Sequence, residues 1–332
     1  MKNIKIAAVG SITASLLIGS FAAADEPIRV GAATYGLQGE FMQLWSNALQ
    51  RHPAVESGQV EVTVFDGRYD ALVQNNQFES MISRQYDAIL FVPIDADACV
   101  SAVAMAASAG IPVVGSNALC NTDQLAAYVG SDDVLAGEML ANSVLTQLDY
   151  QGNVVILEGP IGQTGQIDRG RGIDKVLSEH PEVSVLERRT ANWSRAEAMA
   201  LMENWLTSHR GQIQGVIAQN DEMAIGAIEA IIASGLSVND FAIAGADGIT
   251  DALTAVKEGH MESILQDADA QAQGGLDVAL RLVKGDSYQP LSSIWDEYSE
   301  LEWNGGQSEL YYVPWTPVTL DNVEQLLEKR AR

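Results

Sequence analysis

Positive charge is scarce in this chain of 332 residues. Lys and Arg number 19 against 44 Asp and Glu, a formal net charge of −25. Phosphate backbones and anionic lipid repel so acidic a chain, which excludes nucleic acid as a partner. Histidine is scarce too: His52, His180, His209 and His260 are scattered without the spacing of a zinc site. Asp95-Ala96-Asp97 and Asp267-Ala268-Asp269 lack the glycine and the distal glutamate of a calcium loop. There is no GK[ST] phosphate loop, no G-x-G-x-x-G after the first strand-like segment, and no G-x-S-x-G elbow for a serine nucleophile. No metal, no cofactor and no catalytic residue is therefore expected. Beyond residue 21 no apolar run approaches the length of a membrane helix. What remains is globular in composition, 47% hydrophobic, and long enough to favour two domains.

Lys2 and Lys5 precede an apolar stretch from Ile6 to Phe21, and Ala22-Ala23-Ala24 stands before Asp25. A positive start, an apolar centre and a small-residue end make residues 1–24 a secretory signal peptide. Its removal takes two lysines and no acid, so the mature chain is two units more negative. The expected location is a bacterial periplasm. That compartment is oxidising, and Cys99 and Cys120, the only cysteines, each follow the end of a strand-like segment. Those two strands should be neighbours, so the pair is expected as a disulfide.

From Ile28 the chain alternates strand and helix. Strand-like segments run at 28–33, 60–65, 88–92 and 111–114, then at 153–157, 183–187, 214–217, 241–244 and 261–265. Ala88-Ile89-Leu90-Phe91-Val92 is continuously apolar, as a parallel strand buried on both faces should be. The helices between them include 97–109, ending at Gly110 as its C-cap, and 221–234, with Met223, Ala227, Ile228, Ile231 and Ile232 on one face. Such alternation means parallel sheets covered by helices. The expected fold is α/β, two similar lobes joined by a three-strand hinge that crosses near Ser131, near Gln266 and near residue 295. The lobes would comprise 25–131 with 267–295, and 132–266 with 296–332. The tail after Gly285 reads as a strand pair and a helix over 321–330, with Trp295, Trp303 and Trp315 packing across the lobes.

Ligands bind beyond the C-terminal ends of strands in such sheets. The loops there are Thr34 to Phe41, Pro93-Ile94-Asp95, Gly115-Ser116-Asn117, Glu158-Gly159-Pro160, Asn192-Trp193, Ala218 to Ala224, Gly245 to Gly248, and Gln266. With AQNDEMAIGA (218–227), GSDDVLAG (130–137) and AGADG (244–248), the chain up to about residue 285 resembles the periplasmic ribose- and galactose-binding proteins of ABC importers. Lactose-repressor-like effector domains share their fold. The resemblance implies the type I periplasmic binding protein fold, and that Asn220 bonds sugar hydroxyls, Asp247 accepts from two of them, Gln266 contacts the ligand at the hinge, and Trp193 stacks on a sugar face. Phe41, Tyr35 and Gln38 match the first-loop positions, and Asn117 falls where relatives carry aspartate or asparagine. By residue chemistry alone, Asn220-Asp221 also suits a helix N-cap and Asp247-Gly248 a turn.

Amides offer a donor and an acceptor, carboxylates accept strongly, and aromatic faces pack on sugar C–H groups, so such a set makes a polyol site. Two arginines of ribose-type members are missing: Ile167 and Ala118 stand in their places, while Arg169 matches a second arginine, usually structural in the family, and is counted here with the ligand-binding residues. Gln163 or Gln166 is expected to fill the gap, and the pocket is less committed to ribose. The resemblance implies a soluble monomer that binds a sugar or polyol and hands it to an ABC permease and its ATPase. The alternative is presentation of the ligand to a chemoreceptor or sensor kinase.

Overall fold

The computed structural model of the protein describes residues 26–330, and the expected signal peptide lies outside them. Two six-stranded, mostly parallel sheets flanked by helices make two lobes. The first lobe is built from β1 (Ile28–Thr34), α1 (Glu40–Gln50), α2 (Pro53–Glu56), β2 (Val60–Asp66), α3 (Ala71–Ser83), β3 (Ala88–Phe91), α4 (Val100–Ser108), β4 (Val113–Ser116) and β5 (Ala127–Gly130). The second continues with α5 (Asp133–Gln147), β6 (Gly152–Glu158), α6 (Thr164–Glu179), β7 (Val183–Thr190), α7 (Arg195–Ser208) and β8 (Gly215–Ala218). Its remaining elements are α8 (Asp221–Ala233), β9 (Ala242–Asp247), α9 (Thr250–Lys257) and β10 (Glu262–Leu265). The chain ends with α10 (Ala268–Lys284), α11 (Ile294–Glu297), β11 (Leu310–Tyr312), β12 (Thr316–Pro317) and α12 (Val323–Arg330).

The sheet orders are β11-β5-β4-β3-β1-β2 and β12-β10-β9-β8-β6-β7, and every described pairing is parallel except that of β12 with β10. Central strands are buried along their whole length, as in β3, β8 and β9, because helices cover both faces. Polar residues cap the helices that follow strand ends. Asp70, Asp132, Ser194, Asn220 and Asp267 each accept a backbone N–H from the first turn of their helix. α10 returns to the first lobe and packs on α1, β3, β4 and β5.

The chain passes between lobes after β5 at Ser131–Asp132 and after β10 at Gln266–Asp267. The third crossing differs from the expectation. It falls between Tyr312 and Thr316, not near residue 295, because β11 pairs with β5 in the first sheet and β12 with β10 in the second. The two tail strands therefore never pair with each other, and residues 296–312 stay with the first lobe. Trp295 and Trp303 do not span the lobes either: their rings meet 4.7 Å apart in the first lobe, with Tyr311 and Tyr288 around them. Trp315 alone stands at the crossing, its Nε1 donating to the Asp132 carbonyl at 2.8 Å. β5, four residues long, has too little sequence to show a period. Cys99 and Cys120 are joined, with Cα atoms 5.9 Å apart, which ties the start of α4 to the loop after β4. Among the described residues no helix is long and apolar enough to cross a membrane.

Candidate functional site

The strand-end loops of both lobes face one another, and a small cavity of about 20 Å³ lies between them. Tyr35, Phe41 and Asn117 reach it from the first lobe. Asp133, Gln163, Gly165, Arg169, Trp193, Asn220 and Asp247 reach it from the second, and Gln266 from the crossing.

Arg169 organises one wall. Its Nε donates to Asp133 Oδ1 at 2.8 Å, Nη1 to the Gln219 carbonyl at 2.5 Å, and Nη2 to Gln266 Oε1 at 3.2 Å. Its guanidinium lies between the Trp193 and Trp315 rings, 5.5 and 5.1 Å from their centroids. Burial works against this charge, yet Asp133 and Asp247 outweigh it and hold the pKa above its ordinary value. Glycine makes the arrangement possible: a Cβ on Gly137 would strike the Arg169 backbone, and one on Gly172 the Val134 carbonyl, so α5 and α6 touch backbone to backbone. That contact brings Asp133 and Arg169 together.

An arginine can only donate, so its bond to Gln266 Oε1 fixes the amide orientation. Gln266 Nε2 is left buried and without a partner. Asn220 spends its oxygen: Oδ1 accepts Met223 N at 3.0 Å as the cap of α8, and among the described residues Nδ2 has no hydrogen-bond partner. The two readings open for Asn220 are thus compatible, capping with one atom and facing the cavity with the other. Asn117, at φ 59°, donates Nδ2 to Gln271 Oε1 at 3.4 Å and keeps Oδ1 uncommitted. Burial raises the Tyr35 pKa well above its ordinary value, so the phenol keeps its proton as a donor.

Asp247 is the strongest acceptor present. It is 5% exposed, sits at φ 127°, and among the described residues no side chain or backbone group donates a hydrogen bond to its carboxylate. The nearest cation, Arg169 Nη1, is 3.9 Å away. Burial pushes its pKa well up; Arg169 opposes this and Asp221 adds to it. Asp221, by contrast, supports from below. It accepts from Gly248 N at 2.7 Å, Ile249 N at 3.2 Å and Ser263 Oγ at 2.9 Å, which anchors the turn that presents Asp247. Burial raises Asp221 to about 7 against the pull of those bonds.

Trp193 forms the aromatic wall of the second lobe. Its Nε1 donates to Gln163 Oε1 at 2.6 Å, and Gln163 Nε2 donates across the lobes to the Pro93 carbonyl at 2.9 Å. The indole lies flush on Gly159, where any Cβ would collide with it.

Residues 30–287 match the model of the periplasmic binding protein domain. The chain belongs to this family. A xylitol-binding protein of Mycolicibacterium smegmatis is 38% identical over 285 residues, 85% of this chain and 80% of that protein. A putative rhizopine-binding protein of Rhizobium meliloti is 33% identical over 84% of this chain and 91% of its own length. A crystal structure of an ABC transporter solute binding protein from Bacillus halodurans, with bound myo-inositol, superposes with a TM-score of 0.79 at 32% identity, covering 92% of this chain and 99% of that one.

In this periplasmic binding protein eight of the ten expected site residues meet in the cavity: Tyr35, Phe41, Asn117, Arg169, Trp193, Asn220, Asp247 and Gln266. Two do not. Gln38 precedes α1 and faces a wider, open cleft outside the cavity, alongside Tyr69, Asn192 and Glu222. Gln166 is not among the cavity-lining residues; its Nε2 points instead to Glu158 at 3.4 Å. Of the two glutamines offered for the missing arginines, Gln163 is the one at the cavity. Sequence reasoning missed Asp133, and the doubled Asp132-Asp133 was its signal. One aspartate suffices to cap α5, and Asp132 does so, which frees Asp133 for Arg169. Among the described residues no cluster of three His, Cys, Asp or Glu is placed to hold a metal ion.

Proposed function

We propose that this protein captures one uncharged monosaccharide or sugar alcohol between its lobes in the periplasm and delivers it to the permease of an ABC importer. The observation that carries the reading is the set of unspent polar groups that both lobes turn into the cavity between them. Gln266 Nε2 and Asn220 Nδ2 can only donate, and the Asp247 carboxylate, when ionised, can only accept. Vicinal hydroxyls are the ligand groups that answer both kinds at once, and Phe41, Tyr35 and Trp193 offer faces for the C–H groups of a cyclic or linear polyol.

Charge narrows the ligand class. Two carboxylates, Asp133 and Asp247, share one guanidinium that is already bonded to three protein groups. A sugar acid or phosphate would bring a further negative charge to a site with no free cation among its lining residues, and burying an unpaired charge is costly. Names borne by two relatives, for xylitol and for bound myo-inositol, agree with a polyol. Closure follows from the two-lobe lining: a ligand that touches both lobes stabilises the closed form by its differential affinity. No bond is made or broken. A thermal-shift screen of the mature protein over pentoses, hexoses, cyclitols and linear polyols tests the reading. A rise in melting temperature with at least one compound is expected by linkage. A flat response across the whole panel would remove the sugar assignment.

A further inference from the structure

Several contacts between the lobes lie outside the cavity and involve none of the groups assigned to ligand. The tightest set joins the starts of three helices. Glu40 is the first residue of α1 in the first lobe, and Thr250 is the first residue of α9 in the second. The Glu40 carboxylate accepts Thr250 N at 3.1 Å and Thr250 Oγ1 at 2.5 Å. In return Glu222, in the first turn of α8 in the second lobe, accepts the backbone N–H of Glu40 at 3.2 Å. Arg195 Nε holds the other Glu222 oxygen at 2.8 Å.

These bonds answer a specific deficiency. A helix leaves its first N–H groups without partners, and the partial positive charge there favours an acid. The residues preceding α1 and α9, Gly39 and Ile249, supply no capping bond of their own. Among the other helices at this end of the sheets, α5, α7 and α8 are capped from within their own lobe, while α4 and α6 also lack a side-chain cap from the preceding residue. For α1 and α9 a carboxylate of the opposite lobe does the work, and it can do so only when the lobes are closed. On the far side of the cavity a second rim closes by similar means: Ala96 N meets the Gly162 carbonyl at 2.9 Å, and Leu119 N meets Thr164 Oγ1 at 2.8 Å.

We infer that Glu40 and Glu222 form a reciprocal helix-capping latch, which draws the lobes together before any ligand arrives and slows ligand release afterwards. The inference rests on the reading that the lobes close over a ligand, and it adds residues that touch no ligand. Glu40 and Glu222 are positioning residues that act through closure. The latch gives the ligand-free protein a substantial closed population, and its loss shifts the equilibrium between closed and open by about tenfold, the change that 1.4 kcal/mol makes in an equilibrium constant.

The test uses the mature full-length protein and its Glu40→Ala, Glu40→Gln and Thr250→Val variants, with circular dichroism to verify folding. The ligand-free radius of gyration is read by small-angle X-ray scattering. The latch predicts a larger radius for Glu40→Ala than for wild type, an intermediate one for Glu40→Gln, which keeps an acceptor, and no further increase when Thr250→Val is added to Glu40→Ala. With xylitol and myo-inositol as probes, dissociation from Glu40→Ala is expected to be about tenfold faster, with association changed far less. Equal radii for folded wild type and Glu40→Ala would overturn the latch. Failure of wild type to bind either probe would count against the polyol reading, while the scattering comparison still decides the latch.

Discussion

Asp247→Asn separates what the cavity needs for binding from what it needs for stability. Asparagine keeps the shape of the side chain, so whatever the φ of 127° costs is the same before and after the change. The change therefore removes charge without adding backbone strain. In the closed protein the carboxylate accepts no hydrogen bond among the described residues, and its raised pKa shows that burial outweighs the attraction of Arg169 at 3.9 Å. Neutralising it should stabilise the ligand-free protein at pH 8 by on the order of 1 kcal/mol, roughly 1–2 °C in melting temperature for a chain of this length. The pH dependence has a definite sign. A carboxylate raised on folding contributes stability at low pH and loses it as the pH rises through the raised value. Wild type should therefore melt higher at pH 5.5 than this group allows at pH 8, and the variant should be flatter over that window. Binding moves the other way. Loss of charge-assisted bonds to two hydroxyls should cost about 2–3 kcal/mol, a 30- to 150-fold rise in Kd. Differential scanning calorimetry and titration calorimetry on the same samples provide both readouts. An Asn variant that melts lower than wild type without ligand, or that binds with unchanged affinity, would refute the reasoning.

Other perturbations probe the frame around the site. Asp277 accepts from His52 Nε2, Tyr288 OH, Leu291 N, Ser292 N, Ser292 Oγ and Trp295 Nε1, and so fastens the tail to α10. Asp277→Asn leaves several of these donors unmet and should cost about 3 kcal/mol or more in urea unfolding. Burial alone would raise its pKa, but bonds from His52 and Ser292 hold it below the ordinary value, so its contribution is lost only in strong acid. Reduction of Cys99–Cys120, which are 21 residues apart, should lower stability by about 3 kcal/mol, and denatured protein should show no reactive thiol before reduction. Gly159→Ala drives a methyl into the Trp193 ring and should weaken binding by about 1–3 kcal/mol, with a change in tryptophan fluorescence.

Much of this architecture was legible because parallel strands buried on both faces leave unbroken apolar runs. Ala88–Phe91 and Ala242–Asp247 are fully buried, and the loops that follow such strands carry the cavity. The tail was not legible, for a physical reason. Leu310–Tyr312 and Thr316–Pro317 are three residues apart and each is very short, so nothing local tells which sheet each joins. Side-chain direction was the other loss. Gln166 and Arg169, three residues apart, are neighbours on α6, yet the Gln166 amide turns to Glu158 while Arg169 reaches the cavity. Asp133 hid behind its neighbour, since a pair of aspartates before a helix reads as capping until the structure shows which of the two caps.

The central claim is that the cavity holds an uncharged polyol and rejects its anionic counterpart. Titration calorimetry of the mature protein with a neutral polyol identified by the thermal screen, beside the corresponding sugar acid at the same pH, tests it most directly. The account predicts one-to-one binding of the neutral compound and binding at least about 100-fold weaker for the acid, the measure of an unpaired charge placed among Asp133, Asp247 and a committed Arg169. Equal affinity for the two, or tighter binding of the acid, would contradict it.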